Sequence, residues 1–330
     1  MKYSVLIPAY NCADLIAETV ESIRYCGLED YEILVVNDGS TDGTARVLEE
    51  LQLREPALVV LTQPNGGVSA ARNLAIAHAR GEYLVFVDAD DRLTEDSYRR
   101  AAGLIEEHRP DMLLFGMRIE HCREGVCYWT QQLVCPREGL LTAAEWPSQL
   151  DTLFRCNYLS PIWNKIIRRR LVTQNGIRFR QEMFLLEDCR FSLDCLQASD
   201  TVYLLPEAVY SYQMLDDGKK ADARVRRIQS LNAYMEHFAG FSPLFSGIIR
   251  EIYFMLLAQR VRSASGRSQL RAELQEYQAS PYFQDSVTLE NLRLLREERF
   301  GKILQLNRYY NLRHRAVVFY KLAKRRHGNR

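Results

Sequence analysis

Four short, almost unbroken apolar runs restrict this chain more than any other feature: Tyr3–Pro8 (YSVLIP), 31–36 (YEILVV), 57–62 (ALVVLT) and 82–87 (EYLVFV). A strand with one wet face alternates apolar and polar residues, and these do not. They read as strands covered on both faces, the signature of a parallel sheet. The stretches between them have a helical rhythm. Residues 13–25 carry Leu15, Ile16, Val20 and Ile23, and helices are predicted again over Thr44–Leu53, Ser69–Arg80 and 95–107. A fifth strand is predicted at 111–116 (DMLLFG). Strand and helix in regular alternation imply an α/β fold, a Rossmann-like, mostly parallel sheet flanked by helices.

Beyond residue 115 the pattern loosens. A short hairpin is predicted near 126–133, a helix near 142–155, a helix at 187–199 and a strand pair near 201–212 that closes the sheet. From 221 onward everything reads as helix, with the polar stretch Asp216-Asp217-Gly218-Lys219-Lys220 as the boundary. The expected organisation is one domain over 1–215, in halves of about 1–115 and 116–215, followed by a helical region over 216–330. No apolar run approaches the roughly 18–20 residues that span a bilayer. Met1-Lys2 leads directly into a strand rather than a signal sequence, so the expected location is cytoplasmic. The eight cysteines include no C-x-x-C pair and are read as reduced thiols. His121, Cys122, Cys127 and Cys135 fit no familiar zinc spacing.

Ligands of open α/β sheets bind at the carboxyl ends of the strands. Here those ends read Pro8-Ala9-Tyr10-Asn11, then Asn37-Asp38-Gly39-Ser40, then Asn65-Gly66-Gly67 leading to Ser69, then Asp88-Ala89-Asp90-Asp91. Three carboxylates within four residues repel one another, and a hard divalent cation, Mg²⁺ or Mn²⁺, would relieve that repulsion and hold a diphosphate. The alternative is a solvated acidic turn. The Asn65-Gly66-Gly67 loop opens a helix whose free N–H groups favour an anion, and Arg72 adds a positive charge one turn in. The alternative there is a plain loop with Ser69 as the cap. A tyrosine ring can stack on a nucleobase and a carboxylate can accept from a ring N–H, which makes Tyr10 and Asp38 candidates for a base. Neither G-x-x-x-x-G-K-[ST] nor G-x-G-x-x-G follows the first strand.

Taken together, SVLIPAYN, EILVVNDGSTDGT, NGGVSAARN and GEYLVFVDADD resemble family 2 glycosyltransferases of the GT-A fold, densely over residues 3–115 and more thinly to about 215. The resemblance implies that Pro8, Ala9, Tyr10, Asn11 and Asp38 hold the nucleotide base. It sets Asn65, Gly66 and Arg72 along the donor, Asp88 at the ribose, Asp90 at the metal, and Asp91 at the metal or donor sugar. Trp163-Asn164-Lys165 and Glu187-Asp188 resemble the W-x-K element and the later acidic pair of the bacterial surface-polysaccharide branch. On that likeness Asp188 is the catalytic base, Glu187 its helper, and Trp163 and Lys165 acceptor-side candidates. The chemistry is consistent: a sugar hydroxyl must lose a proton to attack, and a neighbouring carboxylate raises the basicity of the one that takes it. The alternative for Glu187-Asp188 is an acidic helix start, and that for Trp163 is a core or interface aromatic.

The implied activity is a non-processive, inverting transfer from a nucleoside-diphosphate sugar, a UDP-sugar foremost, to a hydroxyl of a glycan or lipid-linked oligosaccharide. Q-x-x-R-W, the mark of processive members, is absent. Two other readings stand beside it: a non-catalytic scaffold that retains the fold, and a sugar-phosphate nucleotidylyltransferase. The overall charge of +1 conceals an asymmetry. Residues 301–330 hold nine Lys or Arg and no Asp or Glu, leaving 34 basic against 42 acidic residues in the rest. A basic helix with apolar and tyrosine side chains suits an anionic membrane surface, so peripheral membrane contact is a further expectation. No nucleic-acid-binding module accompanies the basic run.

Overall fold

The structure is a computed structural model and describes residues 1–123, 126–215, 228–249, 252–253 and 256–257. The chain divides into two compact units: Met1–Glu120 with Thr130–Met214, and His121–Trp129 with Leu215–Arg330. The acidic–basic boundary at 216–220 and the basic segment 301–330 lie outside the described residues.

In the first unit, β1 (Tyr3–Ala9), β2 (Tyr31–Asn37), β3 (Leu58–Thr62) and β4 (Tyr83–Phe86) pair in parallel in the order β3-β2-β1-β4. The runs of β1, β2 and β4 are buried as predicted, with Val5, Leu6, Ile7, Ile33, Val35 and Val85 fully covered. Strand β3, at the sheet edge, is not: only Leu58 is buried, Val59 to Leu61 are half-buried and Thr62 is exposed. The interleaved helices are α1 (Ile16–Ile23), α2 (Thr44–Gln52), α3 (Val68–His78) and α4 (Arg99–His108). Helix α1 buries Ile16, Thr19, Val20 and Ile23, spaced i, i+3, i+4, i+7, which is a single face turned to the sheet core.

The sheet continues through residues the sequence pattern did not resolve. Its full order is β3-β2-β1-β4-β8-β5-β9-β7, with β6 paired to β5. These strands are β5 (Met112–Arg123), β6 (Val126–Leu133), β7 (Gly139–Thr142), β8 (Lys165–Arg168) and β9 (Thr201–Leu215). Strand β8 runs antiparallel to both neighbours, with Val85 opposite Ile166 and Leu113 opposite the same residue. Four residues are too few for a period, so KIIR carries no strand signal of its own, and helix α6 (Arg169–Gln174) follows it directly. The helix expected near 142–155 is β7, a 3₁₀ turn at Trp146–Gln149 containing Pro147, and the short α5 (Leu150–Arg155). The strand pair expected near 201–212 is one long strand, β9. Helix α7 (Glu187–Ala198) forms within the predicted range.

In the second unit, the tip of the β5–β6 hairpin carries a disulfide between Cys122 and Cys127. This corrects the expectation of eight reduced thiols: the hairpin brings the two Cα atoms to 3.9 Å, while Cys12, Cys26, Cys135, Cys156, Cys189 and Cys195 are free. His121 stacks on Trp129 at the same tip, with centroids 4.5 Å apart. Helix α8 (Leu231–Met235) starts at Ser230, whose hydroxyl accepts from the Ala233 N–H at 3.2 Å. Two 3₁₀ turns follow, and Met235, Phe238 and Phe245 are buried.

Candidate active site

All candidate residues belong to the first unit. The loops after β1 and β2 are laced together. Asn11, in the left-handed region at φ 49°, receives the Thr41 N–H on its Oδ1 at 2.8 Å, and its own N–H donates to Ser40 Oγ at 3.0 Å. Asp42 accepts the Thr44 N–H at the head of α2 and the Ala13 N–H from the first loop. Pro8 and Ala9 end β1, and the Tyr10 ring beyond them is 50% exposed.

Asp38 is placed otherwise than the base-binding reading expects. It is buried, and its carboxylate accepts from Gln63 Nε2 at 2.7 Å and from the Gly66 and Gly67 N–H groups at 2.8 Å each. The donors expected to face an external anion are therefore turned onto an internal one. Two glycines make this possible. Gly67 has φ +84°, and at Gly39 (φ +67°) a Cβ would lie 2.7 Å from the Asn65 nitrogen. Asn65 and Gly66 themselves are exposed on the loop, and the helix begins after Gly67 rather than at a Ser69 cap.

The centre of the site is Arg72, on the buried face of α3. Its Nη1 donates to Asp188 Oδ1 at 2.6 Å and its Nη2 to Asp88 Oδ1 at 3.0 Å. Only 4% of Arg72 is exposed, against 29% and 21% for the side chains of Asp88 and Asp188. The guanidinium carbon also lies 5.3 Å from the centroid of the Phe179 ring. One cation thus joins the carboxyl end of β4 to the start of α7, from a helix position 116 residues before Asp188.

Asp188 sits in the first turn of α7, after Leu186 at φ +61° and beside half-buried Glu187. A leucine in the left-handed region is strained, and such strain collects at functional sites. Loss of solvation pushes the Asp188 carboxyl up to about 7; Arg72 opposes that rise, Glu187 and Asp88 reinforce it, and Lys165 opposes it. A carboxyl balanced near 7 suits a general base at neutral pH.

The acidic turn divides its labour. Asp90 is exposed and Asp88 is paired with Arg72. Asp91 is turned inward: it is buried, accepts from the Tyr210 hydroxyl of β9 at 2.5 Å, and burial pushes its carboxyl up to about 8. Its carboxyl thus faces the core tyrosine, while Asp90 beside it is exposed. Trp163 stacks on the same Tyr210, with centroids 4.3 Å apart, and is itself buried. Lys165 has no exposed surface; it donates to the Pro161 carbonyl and to Asn164 Oδ1, and burial lowers its ammonium to about 7. Both acceptor-side candidates, Trp163 and Lys165, are therefore buried.

A metal is implied by the acidic turn. Among the described residues no group of three His, Cys, Asp or Glu side chains is gathered for one. Mg²⁺ and Mn²⁺ commonly take one or two carboxylates and complete their shell with substrate phosphates. Asp90, exposed at the end of β4, fits that second mode.

Sequence reasoning missed Gln63, Asn73, Phe179 and Tyr210. Asn73 closes the NGGVSAARN motif but no role is read for it there, and Gln63, Phe179 and Tyr210 lie outside the motifs; each acts through a partner 25 to 119 residues away.

A family model described as Glycosyl transferase family 2 matches residues 4–176. Over 210 residues the chain is 30% identical to the uncharacterized glycosyltransferase EpsJ of Bacillus subtilis, covering 64% of this chain and 60% of that one. It is 31% identical over 223 residues to the poly(ribitol-phosphate) beta-N-acetylglucosaminyltransferase TarS of Staphylococcus aureus, covering 66% of this chain and 36% of that one. The chain thus spans less than two thirds of these curated relatives. The crystal structure of S. aureus TarS 1-349 in complex with UDP-GlcNAc shares the fold, with TM-score 0.64 and 22% identity over 94% of this chain and 92% of that chain. So does the mannosyltransferase PcManGT from Pyrobaculum calidifontis in complex with GDP-Man and Mn2+, with TM-score 0.53 and 19% identity over 93% of this chain and 84% of that one.

Proposed function

The chain belongs to glycosyl transferase family 2, and from that membership we propose that it moves a sugar from a UDP-sugar to a hydroxyl of a bacterial surface glycan or lipid-linked oligosaccharide. The observation that carries the reading is the Arg72 bridge between Asp88, at the donor edge of the sheet, and Asp188, at the head of α7. The relatives' names support the class of product, and the TarS complex supports a uridine donor.

In this reading the exposed Tyr10 ring stacks on the nucleobase, with Pro8, Ala9 and Asn11 shaping the floor beneath it. Asn65 and Gly66 flank the diphosphate, and Asp88 stands toward the ribose. Asp38 acts indirectly, by holding the 65–67 loop in place. Asp90 would hold a divalent cation, Mn²⁺ or Mg²⁺, whose contribution when bound is to neutralise charge on the diphosphate.

Asp188 takes the proton of the acceptor hydroxyl. The acceptor oxygen forms its bond to the anomeric carbon from the face opposite the nucleotide, and the bond to the diphosphate oxygen breaks with its electron pair leaving on the diphosphate. The anomeric configuration inverts. Glu187 supports the basicity of Asp188, and Arg72 holds its carboxylate in orientation. Transfer is of one sugar per encounter. Membrane contact through residues 301–330 would bring a lipid-linked acceptor to the site, and vesicle co-sedimentation with and without that segment tests it. No helix among the described residues is long and apolar enough to cross a membrane.

The test is Asp188→Asn, assayed against a panel of UDP-sugars with Mn²⁺ by UDP release. Removing a general base lowers the rate by about 10²–10⁴-fold, while UDP should stabilise the variant against heat as it does the wild type. Near-wild-type turnover would remove Asp188 from the reaction. Absence of any nucleotide-induced stabilisation in the wild type would favour the non-catalytic scaffold.

A further inference from the structure

The motif NGGVSAARN ends on Asn73, to which neither the donor nor the acceptor chemistry assigns a role. Asn73 Nδ2 donates to the Phe179 carbonyl at 2.8 Å, and Asn73 Oδ1 accepts the Phe179 N–H at 2.8 Å. The side-chain amide therefore pairs with both backbone groups of one residue, as a neighbouring strand would. Only asparagine does this from that position: aspartate lacks the donor, alanine lacks both groups, and glutamine is one methylene too long.

The residue it holds leads to the base. The Phe179 ring is buried and lies parallel to Phe191 of α7, with centroids 4.0 Å apart and planes within 3°. Phe191 is one turn along α7 from Asp188. Both rings meet Phe86 of β4 edge-on, at 5.7 and 6.0 Å. Helix α3 thus touches the base-bearing segment through two adjacent residues. Arg72 holds the Asp188 carboxylate, and Asn73 holds the backbone that seats α7. A single ion pair fixes a distance but not an orientation; a second contact through Phe179 and Phe191 supplies it.

We propose that Asn73 is a positioning residue of the transfer reaction, pinning the Phe179 backbone so that the head of α7 presents Asp188 to the acceptor. The proposal rests on Asp188 being the base. Asn73 touches no substrate in this account, so its loss acts on kcat and spares donor affinity.

The experiment compares wild type, Asn73→Ala, Asn73→Asp, Asp188→Asn and the double variant Asn73→Ala/Asp188→Asn, each well below its melting temperature. UDP-sugar turnover with Mn²⁺ is read as UDP release, and UDP affinity by calorimetry. Two hydrogen bonds set the scale: kcat of Asn73→Ala is expected to fall by about ten- to thirtyfold, with donor KM and UDP affinity within about twofold of wild type. Asn73→Asp, which keeps the acceptor, should lose less. The double variant should turn over as slowly as Asp188→Asn alone, because Asn73 acts through Asp188. Amide exchange at Phe179 should accelerate at least tenfold in Asn73→Ala.

Unchanged kcat in Asn73→Ala beside an inactive Asp188→Asn would overturn the proposal and leave the base assignment standing. Parallel loss of kcat and donor affinity would also overturn it, as general loosening. An active Asp188→Asn would instead remove the base assignment, with the proposal falling alongside it.

Discussion

Arg72→Gln tests the electrostatics of the site most directly. The substitution keeps a polar side chain of moderate length and removes the one cation shared by Asp88 and Asp188. Two unit charges about 4 Å apart attract by about 4 kcal/mol at an effective dielectric of 20, and an adjacent arginine typically lowers an aspartate by about 1–3 pH units. The Asp188 carboxyl stands at about 7 with Arg72 present, because burial raises it and the guanidinium holds it down. Without the guanidinium it rises further. A base works only when ionised, so wild-type kcat should rise with pH through about 7, and that limb should move upward by about 1–3 pH units in Arg72→Gln. At pH 7 the variant is slow, and raising the pH to 9 restores part of the rate.

Stability should follow the same groups. Breaking a buried pair costs about 3–5 kcal/mol, and the lower end applies because both carboxylates keep some solvent contact. In the variant the folded-state value of Asp188 stands further above its unfolded one. The folded form then holds a proton that the unfolded form has lost, so stability falls as pH rises from about 4 through 7 and above. UDP release at saturating donor, measured from pH 5.5 to 9.5, gives the limb, and chemical denaturation at pH 6 and 8 gives the stability. A limb that stays at its wild-type position would refute the claim that Arg72 governs Asp188.

Three further outcomes follow from the same contacts. The Asp91 carboxyl, raised by burial to about 8, makes the wild type less stable as pH rises from about 4 to 8. Asp91→Asn keeps an acceptor for the Tyr210 hydroxyl and should flatten that part of the stability-versus-pH curve; an unchanged slope would show the proton sits elsewhere. Gly39→Ala places a Cβ 2.7 Å from the Asn65 nitrogen at φ +67°, so a loss of about 1–3 kcal/mol is expected by urea denaturation. Asp188→Asn should retain UDP binding by thermal shift while its UDP release falls by about 10²–10⁴-fold.

The donor half was legible because its information is local. The runs from Tyr3 to Phe86 are apolar over whole strands, and the turn residues Asn37 to Ser40 and Asn65 to Gly67 sit between periodic segments. Helix α7 and its acidic head were legible for the same reason. Strand β8 was not, since a four-residue strand has no measurable period and its identity depends on two partners, β4 and β5, lying 51 residues or more earlier in sequence at their nearest register pair. Buried function was least legible. The resemblance set Asp38, Asp91, Trp163 and Lys165 toward a ligand, yet each is buried, because what a carboxylate or amine contacts is decided by tertiary neighbours such as Gln63 and Tyr210. Arg72 was recognised, but its ion pair with Asp188 joins two motifs 116 residues apart and no spacing rule predicts it.

The late arrival of β8 has a consequence for how the protein is made. Strands β1 to β4 and their helices emerge from the ribosome first, and on one side β4 has β1 as its partner. Its other side waits for Lys165–Arg168. Roughly 80 residues separate the end of β4 from the start of β8, which is about 4–16 s of synthesis at 5–20 residues per second. Through that interval a nascent chain exposes the N–H and C=O groups of a fully apolar strand, the kind of edge on which neighbouring polysomal chains pair. Release of fragments that stop short of residue 165 should therefore yield aggregates, whereas chains carried a few residues past Arg168 gain the strand that seals the edge.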